Sequence, residues 1–321
     1  MMTKEPLVSI VIPAYKTTYL QQAITSAINQ TYENIEIIVV NDKSPFDIRE
    51  IVEKNGSNKI KYFENAENIG GKDLVAQWNH CVKFSKGEFI CLLCDDDVYE
   101  PEYIDTLIGL AKQYPSCNVF RSGVVIINQK GDVCDYYPSS PESESVLEYI
   151  WHVSKQYRRQ SISEFLIRRE RFEACNGYFN TPLAWGADYI SIYHFAKDGG
   201  IVSTNKRLVR FRQSGENISS SPKDKHILEK LRAWIIKHDE TERIIRECNP
   251  NSIDLYLELN DNYIHEQRKG LLPGMNMNDF LCLLKHPNEY GVTRRMLFKA
   301  VYTRIVWGIE SRLLGTRHDS K

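Results

Sequence analysis

The chain has 321 residues, with 41 lysines and arginines against 42 aspartates and glutamates, for a formal net charge of −1. Hydrophobic residues make up 42% and charged residues 26%, the mix of a soluble globular protein with one large or two modest domains. The balanced charge argues against a dedicated nucleic-acid binder, and no stretch approaches the roughly 18 unbroken apolar residues of a spanning helix. The opening MMTKEPLVSIVIP lacks the order of a signal peptide. Eight cysteines are too few for a disulfide framework and fit a reducing, cytoplasmic compartment.

Apolar, β-branched runs alternate with helix-period segments from residue 7 to about 135. Residues 7–13 form a continuous apolar run closed by Pro13, the pattern of a strand buried on both faces. Residues 19–29 repeat Leu20, Ala23, Ile24, Ala27 and Ile28 at helical spacing. A second buried strand is predicted over 35–40, ending in Asn41-Asp42, then a short helix over 48–54 stopped by Asn55-Gly56. A third strand follows over 60–64. Residues 73–85 read as a helix with Leu74, Trp78, Cys81, Val82 and Phe84 on its apolar side. Residues 89–94 read as a strand that runs straight into Asp95-Asp96-Asp97. A helix over 103–114, a strand over 118–128 and a hairpin into 133–137 complete the series.

This alternation predicts an α/β fold, a mostly parallel central sheet with helices on both faces. Such sheets bind ligands at the carboxyl ends of their strands. Ala14-Tyr15, Asp42 and Asp95 to Asp97 all stand where a strand ends and are expected on one rim. From about residue 140 the rhythm changes. Residues 139–145 predict a loop, 168–175 a helix ended by Asn176-Gly177, and 200–212 two short strand-like runs. After Ser219-Ser220-Ser221-Pro222 the remainder is helical, which separates a domain over 1–220 from a helical region over 221–321.

Three adjacent carboxylates after an apolar strand repel one another and have no partner in a core. A hard divalent cation, Mg²⁺ or Mn²⁺, held by oxygen ligands and a diphosphate would resolve the conflict. The alternative is a solvated acidic turn ahead of the helix near Pro101. Asp42 can accept a hydrogen bond from the ring N–H of a base, or serve as a turn aspartate. Neither G-x-G-x-x-G nor a Walker-type Gly-Lys-Ser/Thr is present, which removes the usual phosphate-binding loops. Cys91-x-x-Cys94 lies in a strand with its thiols on opposite faces, so core packing outweighs metal binding.

With their spacing, these motifs resemble family 2 of the glycosyltransferases, inverting nucleotide-sugar enzymes of the GT-A fold. The resemblance rests on Val8-Ser9-Ile10-Val11-Ile12-Pro13-Ala14-Tyr15, Ile37-Ile38-Val39-Val40-Asn41-Asp42-Lys43-Ser44 and Asn68-Ile69-Gly70. It continues through Trp78-Asn79, Gly87-Glu88-Phe89-Ile90 and Cys94-Asp95-Asp96-Asp97 with Pro101, and covers about residues 6–215. It implies a nucleotide-sugar half over about 1–100 and an acceptor half over about 101–220. Pro13, Ala14 and Tyr15 match the segment lying against the nucleotide, and Asp42 the reader of the pyrimidine base. Asp96 matches the metal ligand of the DXD-type motif, with Asp97 as the second acidic residue and Asp95 contacting ribose or sugar. Asp188, in Trp185-Gly186-Ala187-Asp188-Tyr189, matches the catalytic base. Phe211-Arg212 resembles a Tyr-Arg pair that faces the diphosphate.

Four positions depart from the family pattern. Cys94 stands where a further aspartate is usual, Ala187 where an acidic residue is common, Trp78 where an arginine is frequent, and Gln213-Ser214 where a histidine often follows. Lys72 or Arg212 is expected to compensate at the diphosphate. The implied partners are a nucleotide-sugar donor, with a UDP-sugar favoured, and a glycan or lipid-linked acceptor of surface-polysaccharide synthesis. Catalytically inactive nucleotide-sugar binding is the alternative reading; a nucleotidyltransferase would need a glycine-rich loop near 13–18 that is absent. From Gly291 onward, seven basic residues stand against Glu310 and Asp319. Phe298, Val301, Ile305 and Ile309 stripe the same segment. It is either a helix packed on the domain or a peripheral contact with the inner face of an anionic membrane.

Overall fold

The computed structural model describes residues 5–215 and 226–315. Strands β1 (Val8–Ala14), β2 (Ile35–Asn41), β3 (Ile60–Glu64) and β4 (Phe89–Leu92) pair in parallel, in the order β3-β2-β1-β4. Every residue of β2 and β4 is buried, and of β1 all but Pro13, which is why these strands are apolar without alternation. Helices α1 (Leu20–Ile28), α2 (Ile48–Glu53) and α3 (Leu74–Val82) connect them. Asp47 caps α2 by accepting from Glu50 N at 2.9 Å, and Asp73 caps α3 from Ala76 N at 2.9 Å. Glu36, buried in β2, accepts from Ser9 Oγ at 2.7 Å and from Gly87 N at 3.1 Å, tying β1 and β2 to the turn before β4.

The chain continues through β5 (Val98–Tyr99), α4 (Tyr103–Gln113), β6 (Val119–Ile127), β7 (Val133–Tyr136) and β8 (Ser143–Glu144). Then come α5 (Val146–Ser154), β9 (Phe165–Arg168), α6 (Arg169–Ala174), α7 (Ala187–Ala196) and β10 (Ile201–Arg212). The sheet extends past β4 as β9-β6-β10-β5, with β9 antiparallel to both neighbours and β6 parallel to β10. Six of its ten strands (β1 to β4, β6 and β10) therefore point the same way, and their carboxyl ends share one edge.

Two features differ from the sequence reading. Residues 200–212 form one strand, not two: the register of β10 on β6 shifts between Ser203 and Arg207, and the solvent-facing Asn205, Lys206 and Arg207 interrupt the apolar pattern without interrupting the backbone. Strand β9 was not anticipated, because Phe165-Leu166-Ile167 is too short a run to separate from a buried loop.

The C-terminal part is helical as expected: α8 (Ile227–Cys248), α9 (Ile253–Leu271), α10 (Met277–Lys285) and α11 (Arg294–Gly315). The Ser219–Pro222 boundary and residues Arg317, Asp319 and Lys321 lie outside the described residues. Helix α8 serves two cores. Ile244 and Ile245 pack into the cluster that contains Ile192 and Phe195 of α7, whereas Ile227 and Leu231 join Leu272, Leu283 and Leu297 in a separate one. Phe298, Tyr302 and Ile305 of α11 are exposed. Among the described residues no helix is long and apolar enough to cross a membrane.

Among the described residues one ion pair is the most deeply buried. Arg121 of β6 meets Glu164 at 2.7 Å, with the two side chains 2% and 0% exposed. Burial pushes the Glu164 carboxyl up to about 7, against the pull of the guanidinium. Removing one member of such a pair strands the other charge, at a cost of about 3–5 kcal/mol. Glu164→Ala should therefore lower the Tm by several degrees in a thermal melt. Asp135→Ala, at the exposed Arg159–Asp135 pair, should leave it unchanged.

Candidate active site

The site is organised where β4 runs out. Leu93 N still donates to Val11 O at 2.8 Å, so the parallel ladder delivers Asp95, Asp96 and Asp97 to the edge of the sheet beside the end of β1. Each carboxylate is held by a different part of the fold. Asp95 Oδ2 accepts from the backbone N–H of Tyr15 at 3.1 Å and of Lys16 at 2.8 Å. Asp96 Oδ2 accepts from Ser214 Oγ at 3.3 Å. Asp97 accepts from Ser163 Oγ at 2.7 Å through Oδ2 and from Arg212 N at 3.0 Å through Oδ1. All three carboxyls sit above their ordinary range, chiefly through burial. Asp97 is pushed up to about 8, with the Asp96 charge as the next cause, whereas the charges of Lys16 and Arg212 pull Asp96 back.

The structure places several predicted residues differently from expectation. Asp97 is 0% exposed with both oxygens engaged, so it supports Asp96 from beneath instead of standing beside it at the surface. Arg212 is also turned inward. Its Nε donates to the Asp96 carbonyl at 3.0 Å, Nη1 to Asn128 O at 3.2 Å and Nη2 to Gln22 Oε1 at 2.7 Å, with the guanidinium 4.1 Å over the Tyr19 ring. It is a clamp between β10, α1 and the aspartate turn, not an arm reaching from the rim. Lys72 lies on an exposed loop paired with Glu67 at 2.6 Å.

Asp42 is 3% exposed and already accepts three hydrogen bonds. Asn65 Nδ2 at 2.7 Å and Ile69 N at 2.9 Å take Oδ1, and Gly70 N at 2.7 Å takes one lone pair of Oδ2, which leaves one acceptor position. A Cβ on Gly70 would come within 2.9 Å of Oδ2, so this close approach requires glycine. Pro13 and the buried Ala14 close β1, and the following Tyr15 is 40% exposed at the sheet edge. Its carbonyl accepts from Ser44 Oγ at 2.6 Å, which joins the β1 and β2 ends.

Asp188 enters from the first turn of α7. Gln160 Nε2 donates to its Oδ2 at 3.1 Å, and Tyr149 OH donates to Gln160 Oε1 at 2.8 Å, fixing the amide. Burial raises the Asp188 carboxyl, while the Gln160 bond and the Lys237 charge lower it. Burial raises the Tyr137 phenol as well, with further contributions from Glu164, Asp97 and Asp188, so the aspartate turn and Asp188 act on one side chain. His194 stands apart: it stacks on Phe179 and pairs with Glu240 at 3.2 Å.

Sequence reasoning missed Gln160, Ser163, Ser214 and Lys237. Three of the four left a signal. Ser161-Ile162-Ser163-Glu164 has the spacing of a capping box, of which the structure forms the half donated by Ser161 N to Glu164 Oε2 at 3.2 Å, in the turn that follows Gln160 and carries Ser163. Lys237 interrupts the apolar stripe Leu231, Trp234, Thr241, Ile244 of α8, where a lysine must be buried.

Residues 9–167 match the family model described as glycosyl transferase family 2. An uncharacterized glycosyltransferase of Rickettsia typhi is 40% identical over 130 residues, covering 40% of this chain and 39% of that protein. One of Haemophilus influenzae is 26% identical over 222 residues, covering 67% of this chain and 68% of that protein. The crystal structure of S. aureus TarS 1–349 in complex with UDP-GlcNAc superposes with a TM-score of 0.65 at 16% identity, covering 83% of this chain and 79% of that one. The fold held in common is GT-A, a mostly parallel sheet flanked by helices. Residues 9–167 of this chain are thus a glycosyl transferase family 2 domain.

Proposed function

We propose that the chain is a metal-dependent, inverting glycosyltransferase acting on a nucleotide-sugar, UDP-linked, and a hydroxyl of a glycan or lipid-linked acceptor in surface-polysaccharide synthesis. The observation that carries the reading is the aspartate turn at the end of β4, where Asp95 and Asp97 are taken up by protein donors and Asp96 keeps a carboxylate for a ligand. The buried Asp188, held by Gln160, supplies the candidate base. The likeness in fold to TarS in complex with UDP-GlcNAc supports a UDP-sugar. In this reading residues 1–100 hold the nucleotide, 101–220 form the acceptor side and 221–321 are a helical extension.

Asp96 offers a hard oxygen donor in a cluster whose mutual repulsion a cation relieves. One carboxylate completed by diphosphate and water suits Mg²⁺ or Mn²⁺. Asp96 would hold the ion, supported by Asp97, and the ion would supply charge neutralisation for the leaving diphosphate. Pro13, Ala14 and Tyr15 would line the nucleotide, and the one remaining acceptor position of Asp42 would meet the base. Asp95 secures the Tyr15-Lys16 backbone beneath ribose. Lys72 would have to leave Glu67 to reach a phosphate, and Arg212 acts through the Asp96 carbonyl.

Asp188 takes the acceptor hydroxyl proton as that oxygen bonds to the anomeric carbon from the face opposite the diphosphate. The bond from the anomeric carbon to the β-phosphate oxygen breaks, and its electron pair leaves with the nucleoside diphosphate. One displacement inverts the configuration. The protein would work in the cytoplasm. Exposed Phe298, Tyr302 and Ile305, with Arg294, Arg295 and Lys299 on α11, would give peripheral contact with a membrane carrying a lipid-linked acceptor.

Isothermal titration with UDP should show binding that tightens on adding Mn²⁺, and Asp96→Ala should remove that increment. No binding of UDP in either condition would overturn the donor assignment. Asp188→Asn should keep UDP affinity and lose about 10²–10⁴-fold in kcat; an Asn variant with full activity would exclude Asp188 as base. Because burial raises the Asp188 carboxyl, its basic form is lost as pH falls through that raised value. The acid limb of kcat should therefore lie above the ordinary aspartate range, and a profile flat down to about pH 4 would contradict it.

A further inference from the structure

Helix α8 and the loop that delivers Asp188 both lie outside the segment that matches the family model, and α8 packs on that loop. That loop is strained. Leu183 and Ala184 adopt left-handed φ values of 59° and 54°, and Gly186 follows at 76°. Non-glycine residues in this region are strained and persist only where the surroundings over-determine them. Part of that support comes from two lysines of α8. Lys230 places Nζ 4.1 Å from the Trp185 ring centre, and a Cβ on Gly186 would lie 3.3 Å from Lys237 Cδ.

Lys237 is the unusual member. It is 1% exposed, and among the described residues its Nζ has no hydrogen-bond partner. Aromatic rings replace the acceptors: Nζ lies 3.7 Å from the centre of Tyr189 on α7, 4.9 Å from Trp234 on its own helix and 5.0 Å from Tyr263 on α9. The charge that acts on it is Asp188, which holds the ammonium up while burial pushes it down to about 7. Asp188 in turn is influenced by Lys237 and the Gln160 amide. Around it stand Glu164, paired with Arg121, and the phenols of Tyr137, Tyr149, Tyr193 and Tyr263. A buried ammonium without an acceptor is costly, and cation–π contact offsets only part of that cost. Packing alone would be served as well by methionine.

We propose that Lys237 is a positioning residue of the transfer site, which keeps Asp188 ionised from behind and braces its loop, so that α8 is a working part of the active site. The proposal rests on reading Asp188 as the base. Lys237→Met keeps the volume and the aromatic packing but removes the charge; Lys237→Arg keeps the charge. Both are assayed in the full chain by UDP titration and by kcat across pH. Lys237→Met should bind UDP with Mn²⁺ as the parent does and lose about tenfold in kcat on the acid limb, with little loss where the parent lysine is already neutral; the limb itself should move about one unit to higher pH. Lys237→Arg should retain the parent limb, and it supplies the measurement should the methionine variant not fold. In an Asp188→Asn background, Lys237→Met should change the residual rate no further. An unmoved limb in Lys237→Met, a shifted limb in Lys237→Arg, or an equal loss in the Asp188→Asn background would overturn the proposal. Full activity of Asp188→Asn alone would instead overturn the base assignment, so the two failures are distinct.

Discussion

Three like charges in consecutive positions are the constraint around which this molecule is built. Left in a dry interior the carboxylates of Asp95, Asp96 and Asp97 would be expelled, and in full solvent they could not be held in fixed directions. The fold resolves this by giving each a separate anchor: the β1 end for Asp95, Ser214 for Asp96, and Ser163 with the last residue of β10 for Asp97. These donors lie 66 to 118 residues away in sequence, so the cluster exists only once both halves of the sheet have closed. The site and the fold are one cooperative unit. The same anchoring divides labour, since Asp95 and Asp97 are largely spent on protein donors and Asp96 is the member left to meet a ligand.

Arg212 illustrates how such a cluster changes the meaning of a nearby cation. An arginine at a strand end beside aspartates invites reading as a phosphate-binding arm. Here its backbone N–H steadies Asp97, its guanidinium spans α1, the Asp96 carbonyl and the end of β6, and its charge lowers the Asp96 carboxyl from the inside. Charge is thus delivered to the rim through a fixed frame and not by a mobile side chain, which keeps the geometry of Asp96 independent of what binds there.

The parallel half of the sheet was legible because strands buried on both faces must be apolar throughout, and those runs end where chain direction forces ligands to bind. Asp42 and Asp95 to Asp97 could be found for that reason. The acceptor side was less legible. β9 is four residues long, and β10 hides its continuity behind Asn205, Lys206 and Arg207. Asp188 depends on a loop whose left-handed Leu183 and Ala184 have no sequence signature, because neither residue type favours that conformation. The family pattern located Asp188, whereas local periodicity would have made it an ordinary first-turn carboxylate. Gln160 and Lys237, which set its environment, come from segments with no fixed spacing to it, so only packing brings them together.

Two of the buried cations, Arg121 and Lys237, show what kind of information remains in the packing. Arg121 has Glu164 at 2.7 Å, and its charge is answered where it stands. Among the described residues Lys237 has three rings and no bonded counter-charge, so its solvation is left incomplete. A cation paired at contact distance stays charged without help from the rest of the core. An unsatisfied cation next to a carboxylate raised by burial does the opposite, because each group's protonation state depends on the other's. That coupling lies under a strained loop, and both of its members lie beyond the matched family segment. The helical region is therefore bound to the chemistry by electrostatics as well as by packing: the same α8 contacts that support the loop also set the charge behind Asp188.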